Sequence, residues 1–346
     1  MKATIFKGEQ SVQLGDRPNP AIKEQSDAIV KVVMGCVCGS DLWYYRGINP
    51  HKEGSIGHEF IGVVEEVGNE VKDLSKGDLV IAPFTFSDGV CANCKAGFQS
   101  QCTHGGAFGN GETDGGQGEY VRVPYAATTL VKVPAGDYSE DMLASFLSLS
   151  DVISTGYHAA VSAQIKEGDI VAVVGDGAVG LGGVIGAKLL GAKRIIALSR
   201  NPSRQELAKE FGATDIVEGR GNEAVEAVMK LTDGVGVDAA LECVGTDQSI
   251  ETAAGITRPG GMIGAVGFPT YKDFEYKTLF WKNIGIRGGI APARQYIPTL
   301  LDAVLKGDIN PGKIFDLRTE LANVKEAYAA MDERRAIKSL LKVSEV

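Results

Sequence analysis

One stretch, Val171-Ala172-Val173-Val174-Gly175-Asp176-Gly177-Ala178-Val179-Gly180, limits the possible folds of this chain more than any other. A β-branched run ends in Gly-x-Gly-x-x-Gly and continues into an apolar, glycine-rich segment that reads as a helix. In such a strand–turn–helix the first glycine permits the tight turn and the second lets backbone approach a pyrophosphate. The third lets helix pack on strand, with phosphates at the positive helix end. Glycine-rich turns also arise by chance, so context decides. Behind this one, apolar runs at 170–174, 194–198, 215–217, 237–243, 262–266 and 284–286 alternate with helical patterns at 178–190, 203–211, 222–231 and 248–256. That alternation predicts βαβ units on a doubly wound parallel sheet with a dinucleotide at its edge.

The first 150 residues have a different texture. Short runs such as Ala28-Ile29-Val30-Lys31-Val32-Val33, Phe60-Ile61-Gly62-Val63-Val64 and Tyr120-Val121-Arg122-Val123 are separated by glycine turns, which predicts a β-rich barrel or sandwich. An amphipathic helix is expected near 296–306, followed by a polar tail. At 346 residues, two domains are expected, each with its own core. The predicted α/β organisation is a β-rich domain over 1–152, an inserted doubly wound domain over 153–288, and a return to the first domain over 289–346.

A net charge of −9, from 35 basic and 44 acidic side chains, disfavours nucleic acid and anionic membrane surfaces as partners. The longest uncharged piece of the apolar 171–187 segment is too short for the ~20 residues of a membrane span. No export signal is read at the start, so a cytoplasmic location with reduced thiols is expected for the six cysteines.

Coenzyme choice is read at the end of the second strand of the inserted domain. NAD sites usually carry Asp or Glu there, whereas a 2′-phosphate is favoured by Arg. This chain has Ser199-Arg200, with Arg204 one helical turn on, so NADP(H) is expected over NAD(H). Cys38, His58 and Asp151 offer a thiolate, an imidazole and a carboxylate, a set suited to a catalytic zinc with one open position. Their wide separation in sequence does not by itself assign them.

The assignment comes from a resemblance. Cys38-x-Ser40-Asp41, Gly57-His58-Glu59-x2-Gly62-x-Val64-x2-Val67-Gly68, Gly115-Gly116-x2-Glu119-Tyr120, Asp151-x3-Thr155-Gly156 and the Gly175-x-Gly177-x2-Gly180 fingerprint follow one another in order. Together they resemble the zinc-dependent alcohol dehydrogenases of the medium-chain dehydrogenase/reductase family. The resemblance implies a GroES-like catalytic domain and a Rossmann coenzyme domain. It implies catalytic zinc on Cys38, His58 and Asp151, Ser40 as first proton-relay group, Asp41 behind His58, and Glu59 near the metal. Thr155, Val266 and Gly267 are implied around the nicotinamide. Asp at the third ligand position is similar to NADP-dependent secondary-alcohol dehydrogenases.

Cys91-x2-Cys94-x7-Cys102 matches the family's structural-zinc lobe except that Asp88 stands where the first cysteine is expected. A site of one Asp and three Cys is the favoured reading; a metal-free lobe and a weaker site stay open. Where many relatives have a relay His, five residues after the first ligand, this chain has Trp43. The expected activity is hydride transfer between NADP(H) and a small, secondary alcohol or the matching carbonyl, with a polyol dehydrogenase as the alternative. A homo-oligomer, dimer or tetramer, is implied by the family, with the tetramer favoured.

Overall fold

The structure is a computed structural model and describes residues 1–270 and 276–346. It divides into two compact units, Met1–Asp151 with Pro292–Val346, and Val152–Ala291.

The second unit carries a six-stranded sheet in the order Asp215–Val217, Arg194–Leu198, Ile170–Val174, Val237–Glu242, Thr257–Ala265, Gly285–Gly288. Every pairing is parallel. Sequence order reverses on either side of Ile170–Val174, the place where such sheets open a crevice at their strand ends. Parallel strands buried on both faces read as continuous apolar runs. Ala172, Ile196, Val217, Ala240 and Ile263 accordingly sit in one core with the helix residues Val228, Ile250 and Ala253. Helix boundaries follow local chemistry. Asn201 caps Pro202–Phe211, accepting from the Ser203 N–H, with Pro202 in the first turn. Thr246 and Ser249 form a reciprocal capping box on Asp247–Ile256.

Glycine brings two helices of this unit together. A Cβ on Gly156, in the helix Val152–Ser162, would fall well under 3.0 Å from the backbone of Gly182 and Gly183 in the helix Ala178–Leu189. The two helices therefore meet backbone to backbone.

The first unit is built on a seven-stranded sheet. Along its main path run Val131–Lys132, Leu79–Ala82, Phe60–Val67, Ala28–Cys36, Ser339–Lys342 and Leu317–Glu320, with Tyr120–Val123 also paired to Ala28–Cys36. The return segment thus supplies the strand beside Ala28–Cys36 rather than a peripheral flap. A three-stranded sheet, Ser11–Asp16, Lys2–Gly8 and Gly54–Ser55, lies apart from it. Among the described residues, one apolar cluster of the unit gathers around Phe60, Val80 and Val121, and another around Tyr328, Leu42 and Ile56.

Some expectations need correction. Glu140–Ser148 and Tyr276–Lys282 are helices that the strand-rich and alternating readings did not mark out. The first of these is set by a Ser139 N-cap that accepts from the Met142 N–H. The strand expected over 262–266 begins earlier, at Thr257, because Thr257 already pairs with Val237. The strand Ala28–Cys36 ends two residues before Cys38, and Cys36 itself pairs with Leu340.

Candidate functional site

Cys38, His58, Glu59 and Asp151 come from four places in the chain and converge, their ligating atoms all within 4.8 Å of one another. The chain turns sharply after Cys36. The Asp41 carboxylate accepts the Cys38 N–H at 2.9 Å and begins the short helix Asp41–Tyr45. Gly57, at φ +87°, presents His58 and Glu59 just before the strand Phe60–Val67. Asp151 follows the helix Glu140–Ser148, with its predecessor Ser150 bonded through its hydroxyl to the Ala82 carbonyl.

Within the cluster, His58 Nε2 lies 3.3 Å from Asp151 Oδ2, and Cys38 Sγ lies 3.6 Å from the same oxygen. Ser40 Oγ is 3.5 Å from His58 Nε2. The other face of the ring, Nδ1, is 3.4 Å from Asp41 Oδ1. Asp41 is buried, and its Oδ2 also accepts from Gln117 Nε2 at 3.3 Å. Tyr328 donates in turn to Gln117 Oε1 at 3.1 Å. At that distance Asp41 Oδ1 makes no hydrogen bond to the ring, but its charge faces Nδ1 while Nε2 faces the cluster, the orientation expected of a ligating histidine.

The electrostatics call for a cation. Burial, followed by the charges of Glu59 and Asp151, pushes the Cys38 thiol up. Burial likewise raises Glu59. Burial opposes charge on His58, but the carboxylate of Asp41 and the sulfur of Cys38 outweigh it and raise its pKa well above the usual value. Acidic groups pressed together out of water are costly unless a positive charge joins them. Glu59 Oε2 is buried without a hydrogen-bond partner. One thiolate, one imidazole and carboxylates fit a divalent zinc with an open position.

Two participants went unnoticed in the sequence. Lys338, on the return segment and fully buried, donates to Glu59 Oε1 at 2.7 Å and to the Val37 carbonyl at 3.1 Å. Gln117 links Asp41 to Tyr328. Gln117 sits at a variable place inside Gly115-Gly116-x2-Glu119, and Lys338 lies in a polar tail beside other charged residues, so neither stands out from spacing. Trp43 lies half-buried on the helix Asp41–Tyr45.

The second predicted cluster also assembles: Asp88, Cys91, Cys94 and Cys102 bring their ligating atoms within 4.8 Å. Asp88 Oδ1 accepts the N–H groups of Val90 and Cys91 at 2.9 and 3.0 Å. Its Oδ2 lies 2.6 Å from His104 Nδ1, and this contact with the backbone donors holds its carboxyl well below the usual range. Backbone N–H groups of Thr103 and Cys94 bring the Cys91 thiol down to about 6, whereas burial raises Cys94 to about 12. All six cysteines are free thiols. His104 is thus a partner of Asp88 that the cysteine spacing does not point to.

In the second unit the glycine fingerprint takes its expected form. Gly175 adopts φ +116°, and a Cβ on Gly180 would strike the Gly175 carbonyl. A Cβ on Gly177 would meet no protein atom within 4 Å, so packing does not require that glycine. The helix Ala178–Leu189 begins there without a side-chain cap, its first N–H groups available to an anion. Ser199 is buried at the end of Arg194–Leu198, Arg200 is exposed, and Arg204 lies part-buried on the next helix. Val266 and Gly267 donate their N–H groups to the Glu242 carbonyl at 2.9 and 3.1 Å. Thr155 lies on the helix Val152–Ser162.

Known proteins resemble this chain in both of its units. Residues 24–135 match the alcohol dehydrogenase GroES-like domain, and 178–306 match the zinc-binding dehydrogenase domain. Zinc-type alcohol dehydrogenase B of Aspergillus flavus is 36% identical over 355 residues, covering 100% of this chain and 82% of that protein. The NADP-dependent isopropanol dehydrogenase of Clostridium beijerinckii is 39% identical over 300 residues, 83% of this chain and 84% of that protein. The solved alcohol dehydrogenase TADH from Thermus sp. ATN1 superposes with a TM-score of 0.91 at 34% identity, covering 99% of this chain and 100% of that one. The chain belongs to the zinc-dependent alcohol dehydrogenases of the medium-chain family, with a GroES-like domain and a Rossmann coenzyme domain. It is an oxidoreductase that uses zinc and a nicotinamide coenzyme on a small-molecule substrate. Among the described residues no helix is long and apolar enough to cross a membrane.

Proposed function

We propose that this chain interconverts small secondary alcohols and their ketones with NADP(H). The observation that carries the reading is the convergence of Cys38, His58 and Asp151, with Glu59, in one buried cluster. The similarity to an isopropanol dehydrogenase supports the substrate class. Cys38, His58 and Asp151 would hold the catalytic zinc, and Asp88, Cys91, Cys94 and Cys102 a structural one. When bound, zinc stabilises the developing alcohol oxygen charge and the nicotinamide takes or gives hydride. Ser40 Oγ, beside His58 Nε2, accepts the substrate's hydroxyl proton. Asp41, whose charge faces Nδ1, would favour the His58 tautomer that leaves Nε2 unprotonated toward zinc. Trp43 carries no titratable proton, so it cannot pass the proton onward, and a relay from Ser40 would have to end in water.

Gly175, Gly177 and Gly180 would cradle the pyrophosphate, Thr155, Val266 and Gly267 border the nicotinamide, and Ser199, Arg200 and Arg204 meet the adenosine ribose. A cytoplasmic setting, where thiols stay reduced, would leave Cys38, Cys91, Cys94 and Cys102 available to zinc. A homo-oligomer is supported by the edge strand Gly285–Gly288 beside exposed Phe280, Trp281 and Ile290, 60%, 73% and 59% exposed. The test is a panel of alcohols and ketones assayed with NADP(H) and NAD(H), with zinc counted per chain. Two zinc per chain and faster turnover of secondary than primary alcohols are expected. A polyol preference, or a single zinc, would overturn the corresponding part.

A further inference from the structure

The x residue between the first two glycines of the fingerprint is Asp176, and its carboxylate is already engaged. Ser199 Oγ donates to Asp176 Oδ2 at 2.8 Å. Arg204 Nη1 lies 3.3 Å from Asp176 Oδ1 and 3.5 Å from the Asp176 carbonyl. Both groups are the ones that the proposed NADP(H) reading assigns to the 2′ position of the adenosine ribose. Gln205 Nε2 closes the same corner from the other side, donating to the Ser199 carbonyl at 3.0 Å and to Glu218 Oε1 at 2.9 Å.

We propose that Asp176 sets the choice between NADP(H) and NAD(H), acting as a built-in carboxylate that holds Ser199 and Arg204 and competes with a 2′-phosphate for them. A ribose 2′-phosphate carries close to two negative charges at neutral pH. To reach Ser199 and Arg204 it must displace an anion or lie against it, and like charges at contact distance disfavour binding. A 2′-hydroxyl faces no such cost, because it can donate to the same carboxylate. In NAD-binding relatives that acceptor comes from the end of the second strand. Here the fingerprint loop supplies it, and exposed Arg200 is left as the cation outside this arrangement. The positive and negative contributions therefore oppose one another, and the preference for NADP(H) is smaller than Ser199, Arg200 and Arg204 alone would give.

The inference rests on the reading that the Ser199 corner is the adenosine ribose site, and the test separates the two. Zinc-loaded wild type, Asp176→Asn and Asp176→Ser, together with Ser199→Ala and Arg204→Ala, are titrated calorimetrically with 5′-AMP and 2′,5′-ADP. Wild type is expected to bind the two within about tenfold. Asp176→Asn keeps the shape and removes the charge, and is expected to raise the 2′,5′-ADP to 5′-AMP affinity ratio at least tenfold. Asp176→Ser serves if the amide variant misfolds. The same change should appear in kcat/KM for NADPH over NADH. An unchanged ratio in both Asp176 variants overturns the inference while leaving the ribose site intact. If Ser199→Ala and Arg204→Ala leave 2′,5′-ADP binding untouched, the ribose site itself lies elsewhere and both readings fall.

Discussion

Replacing Lys338 by Met would strand a charge. Lys338 Nζ and Glu59 Oε1 are 2.7 Å apart, and both side chains are buried. At an effective dielectric constant near 20, opposite charges at that distance attract by about 6 kcal/mol, before desolvation is counted. Removing one partner of such a pair costs about 3–5 kcal/mol, because the other charge is left without compensation. The Val37 carbonyl loses its donor as well. For a unit of this size, about 2–4 °C of melting temperature accompanies each kcal/mol. Lys338→Met should therefore melt about 6–20 °C below wild type in calorimetry of the zinc-loaded protein. Glu59→Gln added to Lys338→Met removes the stranded carboxylate and should recover at least half of that loss. Alone, it should cost stability. A Lys338→Met protein that melts within 2 °C of wild type, or a Glu59→Gln effect identical in both backgrounds, refutes the buried-pair reasoning (the ~2 °C bound is less than one kcal/mol).

Ser40→Ala should lower kcat by about a hundredfold or more while zinc content stays at the wild-type level, since a general base contributes on that scale; loss of zinc would contradict the relay role. Gly156→Ala forces a methyl into the backbone of a neighbouring helix and should cost about 3 kcal/mol or more. Gly177→Ala meets open space and should leave thermal stability unmoved yet weaken coenzyme binding; equal melting of the two variants would contradict the glycine assignments. Asp215 is paired with Arg194 at 2.7 Å, and this bond holds its carboxyl below the usual value. A depressed folded pKa gives stability that is present above the unfolded value of about 3.9 and lost as pH falls through the folded one. Asp215→Asn should thus cost about 1 kcal/mol at pH 7, discounted for partial exposure, and progressively less in acid. A gap in denaturant midpoint that widens in acid would reverse the sign.

The doubly wound unit was legible because parallel strands are apolar throughout and its helices carry caps: the strands 170–174, 194–198 and 215–217 lie where the pattern puts them. The first unit was legible only as strand-rich, since its sheet order depends on pairings between segments as distant as Leu340 and Cys36. The metal-ligand candidates were reachable through motif resemblance, not spacing, because Cys38, His58 and Asp151 meet only after folding. Lys338, Gln117 and Asp176 were hidden for one reason. Each acts by holding another side chain, and a supporting partner leaves no spacing signature of its own.

The strand Ser339–Lys342 beside Ala28–Cys36 also has a meaning in time. A ribosome adding about 5–20 residues per second takes about 15–60 s to travel the 301 residues from Val37 to Lys338. Through that interval the Rossmann unit, which is one unbroken stretch, can be completed and folded. The main sheet of the first unit meanwhile waits with a neighbour missing, and Glu59 waits without its ammonium. The cluster of Cys38, His58, Glu59 and Asp151 thus reaches its final electrostatic setting only among the last events of synthesis, and a nascent chain stalled before Lys338 presents its thiol and imidazole on an unfinished scaffold.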